Sequence, residues 1–320
     1  MGSELNKIFG RDFVTGFFLP ALLFLLGNVF LLKFLGVRGA LLNINWQKPL
    51  EDTGLLIIMA GILAIFLQAF NREVFRAAEG YWPKWLRAPL TAFHRRRFRK
   101  LTDKVNALYN SPGEIDEREL NALSYRAAME YPSTEAQVLP TSFGNAVRAY
   151  EDYPRVIYGF ESIKGWTRLQ ALMSPEFCAG LAQTRAPINL WLNLCLLTVV
   201  FAVQVAGLAY DFNRFGIMWL ILPLLILAWF TYARARSSAQ QYGEHIKAAF
   251  DIYLPALANK LGYVLSSDVG KNMEFWSAFS EIMIYRDARA LTDVVGAGLH
   301  TTAAPRESHE KQLNTESDKN

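Results

Sequence analysis

The feature that most constrains this fold is a run of twenty uncharged residues near the amino terminus. Residues 13–32 (FVTGFFLPALLFLLGNVFLL) contain no Asp, Glu, Lys, Arg or His. A helix rises about 1.5 Å per residue, so a run of this length covers a hydrocarbon core about 30 Å thick. A cleaved signal peptide would have a shorter apolar stretch before a small-x-small site, whereas Lys33, Phe34 and Leu35 follow here. The run therefore predicts a membrane-spanning helix.

Three further apolar runs extend this prediction. They occupy residues 55–70, 188–210 and 216–232, and the short interval 211–215 fits a tight turn between antiparallel helices. The run 55–70 is short for a crossing, but Arg72 and Arg76 can extend from its far end towards the membrane surface. The chain is 52% hydrophobic and 19% charged, against about 25% charged in soluble domains, which argues against a soluble two-domain enzyme.

The basic residues that flank these runs predict their orientation. Nine lie on one side (Lys7, Arg11, Arg72, Arg76, Lys84, Arg87, Arg185, Arg234, Arg236) and four on the other (Lys33, Arg38, Lys48, Arg214). The side richer in Lys and Arg faces the cytoplasm. We therefore predict an all-α integral membrane protein with four transmembrane helices in two hairpins, a cytoplasmic helical domain and cytoplasmic N- and C-termini.

This topology divides the chain into six segments. They are a cytoplasmic N-terminus (1–12), the first transmembrane hairpin (13–70), a cytoplasmic helical segment with a polybasic juxtamembrane stretch (71–186), the second transmembrane hairpin (187–233), cytoplasmic C-terminal helices (234–295) and a disordered tail (296–320). Apolar residues recur at helical spacing in 115–131 and 234–261, so we expect an amphipathic helix in each. The second is expected to begin after the last span and to pack on the middle segment, with a contact to the membrane surface or to another subunit as the alternative.

The polybasic stretch, residues 84–104, carries eight Lys and Arg against the single acid Asp103. Trp85 and Phe93 interleave with the charges, a mixture typical of helices that lie on an anionic leaflet. Nucleic acid attracts similar mixtures, but proximity to a span favours lipid, and a simple topology anchor is the plainer interpretation. The lipid-binding candidates are Lys84, Arg87, Arg95, Arg96, Arg97, Arg99 and Lys100.

Residues 139–169 (LPTSFGNAVRAYEDYPRVIYGFESIKGWTRL) are the most patterned part of the chain. Thr141 or Ser142 can cap a helix that is expected to end at Tyr153, before Pro154. Arg148 precedes two acids by three and four residues, which fits an ordinary intrahelical ion pair. The density of special residues favours instead an interaction surface or a gate. Its candidate residues are Asn145, Arg148, Glu151, Tyr158, Trp166 and Arg168.

Two motifs in the sequence resemble those of a known group of proteins. LPTxxGNxxRAxExYPxxxYGxxxxxxWxRL, followed after the last span by YGxxIxAAFDxYxxxLxxxLG, is similar to an uncharacterised family of bacterial four-span membrane proteins. The motifs cover about half of the chain. The resemblance implies placement in the bacterial inner membrane and no particular activity.

The sequence contains none of the common catalytic, nucleotide-binding or metal-binding motifs. It contains no GxSxG, HExxH, Walker or GxGxxG motif, and Cys178 and Cys195 stand apart from the four scattered histidines. We therefore assign no catalytic residue, no metal ligand and no cofactor. The predicted spans hold amides where proton relays would hold charges. Those that line a pore or contact a neighbouring helix are Asn28, Asn189, Asn193 and Gln204.

Three functions fit these observations. The first is a non-catalytic membrane scaffold or sensor, whose partners would be anionic lipids and an unknown protein, without nucleic acid. The second is an oligomeric channel-like protein, because two hairpins with a large cytoplasmic domain resemble the layout of bestrophin channels; a homo-oligomer would be needed to enclose a pore. An enzyme acting on lipid headgroups comes third.

Overall fold

The computed structural model describes residues 10–37, 49–110 and 116–286. The structure is about 85% helical, and no strand occurs in these three ranges. The all-helical prediction is therefore confirmed. The predicted tail 296–320 and most of the predicted N-terminal segment 1–12 lie outside the described residues.

A three-residue α-helical turn, Arg11–Phe13, and a turn of π geometry, Val14–Phe18, precede the first long helix. The helices are α1 (Leu19–Phe34), α2 (Pro49–Ala69), α3 (Asn71–Glu79), α4 (Lys84–Tyr109), α5 (Glu117–Glu130), α6 (Ser142–Tyr158), α7 (Ser162–Gln170), α8 (Pro175–Asp211), α9 (Ile221–Lys260) and α10 (Val269–Tyr285). Short 3-10 turns, Glu135–Gln137 and Phe215–Leu220, precede α6 and α9.

Three continuous helical stretches are long and apolar enough to cross a membrane: Val14–Phe34, Pro175–Asp211 and Phe215–Lys260. A fourth candidate is the pair Gly54–Ala69 and Asn71–Glu79, which is bent by 58° at Phe70. Each of the four predicted apolar runs thus overlaps one candidate almost completely. The described residues thus contain three helices that are long and apolar enough to cross a membrane, or four if the bent pair forms one span.

Two helix boundaries expected from the sequence are wrong. Helix α6 does not end at Tyr153 but continues through Pro154 to Tyr158. A proline inside a helix removes one backbone hydrogen bond, whereas Gly159 ends this helix because it adopts a left-handed conformation, with φ of 75°. The amide of Phe160 then donates to the carbonyl of Pro154 at 3.1 Å, which closes the turn.

The last span and the amphipathic helix expected after it are also one element. Helix α9 runs without interruption from Ile221 to Lys260. The junction residues Tyr232, Ala233 and Arg234 include no proline, glycine or capping residue, so the chain has no local reason to leave the helix. At about 1.5 Å per residue this helix is about 60 Å long, so it exceeds the hydrocarbon core.

The chain forms two compact units. The first comprises Met1–Tyr150 and Glu176–His245, and the second comprises Glu151–Pro175 and Ile246–Asn320. Apolar clusters hold the first unit together. One joins the π turn, α1, α2 and α8 through Phe13, Phe17, Ala21, Ala64, Leu67 and Leu197; another joins α6, α8 and α9 through Phe143, Val147, Ile188, Leu192, Ala235 and Ala239.

An aromatic core holds the second unit together. Phe160 lies in the connection between α6 and α7 and has no exposed surface. Its ring packs on helices α9 and α10. Its ring centroid is 5.8 Å from that of Phe250 and 5.2 Å from that of Trp276. Gly165 in α7 packs directly on this ring, because a Cβ atom at position 165 would overlap the ring atoms of Phe160.

We predict opposite effects for two Gly→Ala substitutions in helices. Gly165→Ala should lower the free energy of unfolding by about 1–3 kcal/mol, because the new methyl group has to displace a buried aromatic ring. Gly180→Ala in α8 meets no atom within 4 Å and should raise it by up to about 1 kcal/mol through helix propensity. Thermal unfolding in detergent, followed by circular dichroism, measures both; equal effects of the two substitutions would contradict the close packing at Gly165.

Candidate functional site

One face of the polybasic helix α4 combines exposed aromatic and basic side chains. Positions 85, 89, 93, 96 and 100 follow one another at three- and four-residue steps, so they share a side of the helix. Trp85 is 77% exposed and Phe93 53%, and Arg96 and Lys100 are exposed beside them. We call Trp85, Phe93, Arg96 and Lys100 the basic face. Two more predicted cations are exposed in the first turn of α4: Lys84 and Arg87.

The other predicted lipid-binding arginines have different surroundings. Arg99 forms two hydrogen bonds to Glu135, at 2.8 and 2.5 Å, and these lower the pKa of the Glu135 carboxyl. The guanidinium carbon of Arg97 lies 5.8 Å from the ring centroid of Phe93. Arg95 is half-buried, and its Nε has no hydrogen-bond partner among the residues that the structure describes. Arg99 is thus engaged within the protein, whereas Arg96 and Lys100 point to solvent.

The opposite side of α4 contacts the protein through a buried histidine. His94 is 8% exposed, and its Nδ1 lies 3.3 Å from the hydroxyl of Tyr131. Burial lowers the pKa of His94, and the charges of Arg97 and Arg236 lower it further, against a smaller opposing effect of Glu130. Arg236 itself pairs with Glu130 at 2.8 Å. This contact fixes α4 by its inner side and leaves the basic face free to meet a surface.

The amide of Asn145 fastens the loop before α6. Its Nδ2 donates to the carbonyls of Leu139 and Thr141, at 2.9 and 2.8 Å, and its Oδ1 accepts the amide of Leu139 at 2.7 Å. The hydroxyl of Thr141 donates to the carbonyl of Ala78 at 2.8 Å. Asn145 has no exposed surface, so its role in this conformation is internal rather than at an interaction surface.

The charged residues of the patterned segment are arranged along α6. Arg148 is half-buried, and its Nη2 donates to the hydroxyl of Tyr81 at 3.0 Å. Asp152 is buried and accepts hydrogen bonds from Arg155 at 2.8 and 2.5 Å. Glu151 is half-buried, and its backbone carbonyl accepts the hydroxyl of Ser162 at 2.6 Å. Asp152 therefore meets a neutralising arginine, an arrangement that serves packing better than acid-base chemistry.

The two remaining candidates of the segment lie on α7. Trp166 is half-buried and its ring packs on Phe250, with 5.9 Å between the centroids. Arg168 is exposed, and its Nη1 donates to the backbone carbonyl of Lys164 at 3.1 Å. Trp166 thus contributes to the aromatic core of the second unit, and Arg168 lies at its surface.

Asp251 is a site residue that the sequence analysis did not single out. The hydroxyls of Tyr153 and Tyr158 both donate to its Oδ1, at 3.0 and 2.7 Å. Burial and the hydrogen bond to Asp251 raise the pKa of Tyr158. Lys247 lies over the ring of Tyr153, with Nζ 5.6 Å from the centroid. Tyr153, Tyr158 and Asp251 belong to the two motifs, but the sequence separation of 93 from Tyr158 to Asp251 conceals their contact.

The predicted intramembrane amides mostly serve contacts within the chain. Asn193 has no exposed surface, and its Nδ2 donates to the carbonyl of Gly16 at 2.8 Å. Pro20, four residues after Gly16, lacks the N–H that would normally bond this carbonyl. Asn189 is 9% exposed, and its Oδ1 accepts from Asn71, where α3 begins, at 3.3 Å. Both amides therefore join separate helical elements of the first unit.

The other two amides have no such role. Asn28 donates to the carbonyl of Phe24, at 2.9 Å, within its own helix. The Oε1 atom of Gln204 is buried and has no hydrogen-bond partner within ranges 10–37, 49–110 and 116–286. In those ranges no group of three or more His, Cys, Asp or Glu side chains is placed to hold a metal ion.

Comparison with protein-family models, with curated proteins and with solved structures found no match to this chain. The resemblance of its two motifs to a bacterial membrane family therefore stays a prediction. Function has to be argued from the geometry of the chain itself.

We predict that Asn193→Leu lowers the free energy of unfolding in detergent by about 1 kcal/mol, since it leaves the carbonyl of Gly16 without its interhelical donor. Asn28→Leu is the matched control, because the Asn28 amide bonds only within one helix turn. Denaturant titration followed by tryptophan fluorescence measures both variants. A loss in Asn28→Leu as large as that in Asn193→Leu would contradict the interhelical role.

We also predict that His94 makes stability depend on pH. Because its folded pKa lies below the ordinary value of 6.5, the unfolded chain binds the proton first. Stability should therefore fall as the pH decreases through 6.5 towards the lower folded pKa, and this component should vanish in His94→Gln. Melting temperatures between neutral and acid pH test this, with His245→Gln, on the exposed part of α9, as control. Equal slopes for wild type and His94→Gln would refute it.

Proposed function

We propose that this chain is a non-catalytic scaffold or sensor of the bacterial inner membrane, which binds anionic lipid through α4 and recruits a protein partner. The basic face carries this proposal, because it presents two cations and two aromatic rings to solvent on one side of a helix. Exposed rings of this size are costly in water and favourable at a headgroup boundary.

The proposal includes four transmembrane helices in two hairpins, with both termini and α4 on the cytoplasmic side. Its support is the excess of Lys and Arg on one side of the apolar runs. In this arrangement α4 follows the bent pair α2 and α3 after the four residues from Gly80 to Pro83. The inner leaflet, which carries anionic lipids, would then be within reach of Arg96 and Lys100.

The contacts of the polar side chains favour a scaffold over the other two functions. A channel wall needs amides that face a shared axis, whereas Asn189 and Asn193 bond to Asn71 and to Gly16 of the same chain. An enzyme that used Asp152 on headgroups would need that carboxylate without a neutralising partner, whereas Asp152 bonds to Arg155. A scaffold needs neither feature.

We predict that α4 inserts into anionic bilayers through the basic face. A nitroxide attached at Ala92→Cys, in a chain with Cys178 and Cys195 replaced by serine, would report this from its accessibility to oxygen and to a water-soluble nickel complex. Ala92 is exposed and follows the spacing of the basic face. Phosphatidylglycerol nanodiscs should bury the label, and phosphatidylcholine nanodiscs should not.

The double variant Arg96→Gln, Lys100→Gln should weaken the insertion by about 2 kcal/mol, at about 1 kcal/mol per cation near the surface. The matched control is Arg99→Gln, because Arg99 is engaged with Glu135. If Arg99→Gln released the label as fully as the double variant, the effect would come from destabilised packing of α4. If the label stayed exposed in anionic discs, the lipid-binding part of the function would be wrong.

A further inference from the structure

The second unit contains an apolar groove with a volume of about 190 Å³. Its walls come from the end of α6, the last turns of α9 and the first turns of α10. Lining residues include Ile157, Tyr158, Leu254, Leu265, Val269 and Met273. Two of the lining residues, Leu254 and Trp276, are packed in the protein interior and are only 1% and 2% exposed.

Three apolar side chains at the rim of this groove are exposed. Val269 is 75% exposed, Ile157 45% and Met273 37%. The segments that contribute these three side chains, α6 and α10, lie outside the candidate membrane spans. Exposed apolar side chains grouped around a groove are typical of an interaction site.

The carboxylate of Asp251 is held by a residue that lines the groove. Tyr158 lines the groove and donates its hydroxyl to Asp251, as does Tyr153, so that two hydrogen bonds fix the direction of an exposed carboxylate. Across the described part of the chain, no cationic side chain lies within ion-pair distance of this carboxylate. Lys247 faces the ring of Tyr153, and Lys260 and Lys271 are exposed.

From this geometry we infer that the groove binds an amphipathic helix of a partner protein. Two or three apolar side chains at helical spacing fill the groove between Ile157 and Met273, and a Lys or Arg of the same helix meets Asp251. Charge complementarity selects the partner, because an oriented carboxylate without a cation accepts a basic group and repels an acidic one. The inference deepens the proposed function, since it names the surface that would recruit the scaffold's partner.

The test uses a random peptide library displayed on phage and selected against the full chain in phosphatidylcholine nanodiscs. Peptides with apolar residues three or four positions apart and at least one Lys or Arg should be enriched. Their affinity should fall about tenfold in Asp251→Asn, which keeps an oxygen for the two tyrosine hydroxyls. It should disappear in Met273→Lys, which places a charge in the groove. Lys271→Ala, next to the groove lining on α10, should leave the affinity unchanged.

Three results would overturn the inference. The first is enrichment of peptides whose affinity for Met273→Lys or Asp251→Asn equals their affinity for the wild type, when both variants have the melting temperature of the wild type. The second is a large gain in peptide affinity on deletion of residues 287–320, which would identify the chain's own C-terminal segment as the occupant. The third is a change of oligomeric mass in Met273→Lys, which would identify a second copy. Failure of the spin-label experiment would remove the lipid-binding role without affecting the peptide result, and the reverse also holds.

Discussion

A helical backbone in hydrocarbon has to satisfy every carbonyl within the protein, and this requirement governs the first unit. Pro20 cannot supply the hydrogen bond that Gly16 would normally receive, and the amide of Asn193 donates to Gly16 from α8. Gly16 also lets the two helices approach closely, because an added Cβ atom would lie 3.1 Å from that of Asn189. A helix irregularity near the amino terminus thus becomes the point where α1 and α8 are joined.

Length and local charge made the membrane-compatible helices predictable. A run without charges, such as 13–32, has few alternatives to a buried helix, and Asp211 to Phe215 could form only a short turn. The ends of helices were less predictable. Pro154 suggested a stop, but the carbonyl and amide contacts around Gly159 decided where α6 ends. Such contacts depend on the chain beyond the helix, which local propensity does not include.

The sequence indicated which residues the candidate sites contain, but not which residues contact one another in them. The sequence identified the basic residues of α4 as one set, whereas the structure separates them because Glu135, 36 positions away, binds Arg99. Asn145 belonged to a conspicuous motif, yet its amide serves the adjoining loop. Asp251 belonged to the second motif, but its role could not be predicted, since its two tyrosine partners lie more than ninety positions earlier. Rules based on the spacing of residues do not identify contact partners that are distant in the sequence.

The unbroken course of α9 restricts how the length of this chain can change. Its residues up to His245 pack in the first unit, and those from Ile246 pack in the second. One inserted or deleted residue in the helix would turn everything after it by about 100°, so that an insertion before Phe250 would move this buried ring to the exposed position of Asp251. A change of about seven residues, close to two full turns, would nearly restore the phase. Insertions and deletions in homologous chains should therefore avoid α9 and collect in the connections between helices.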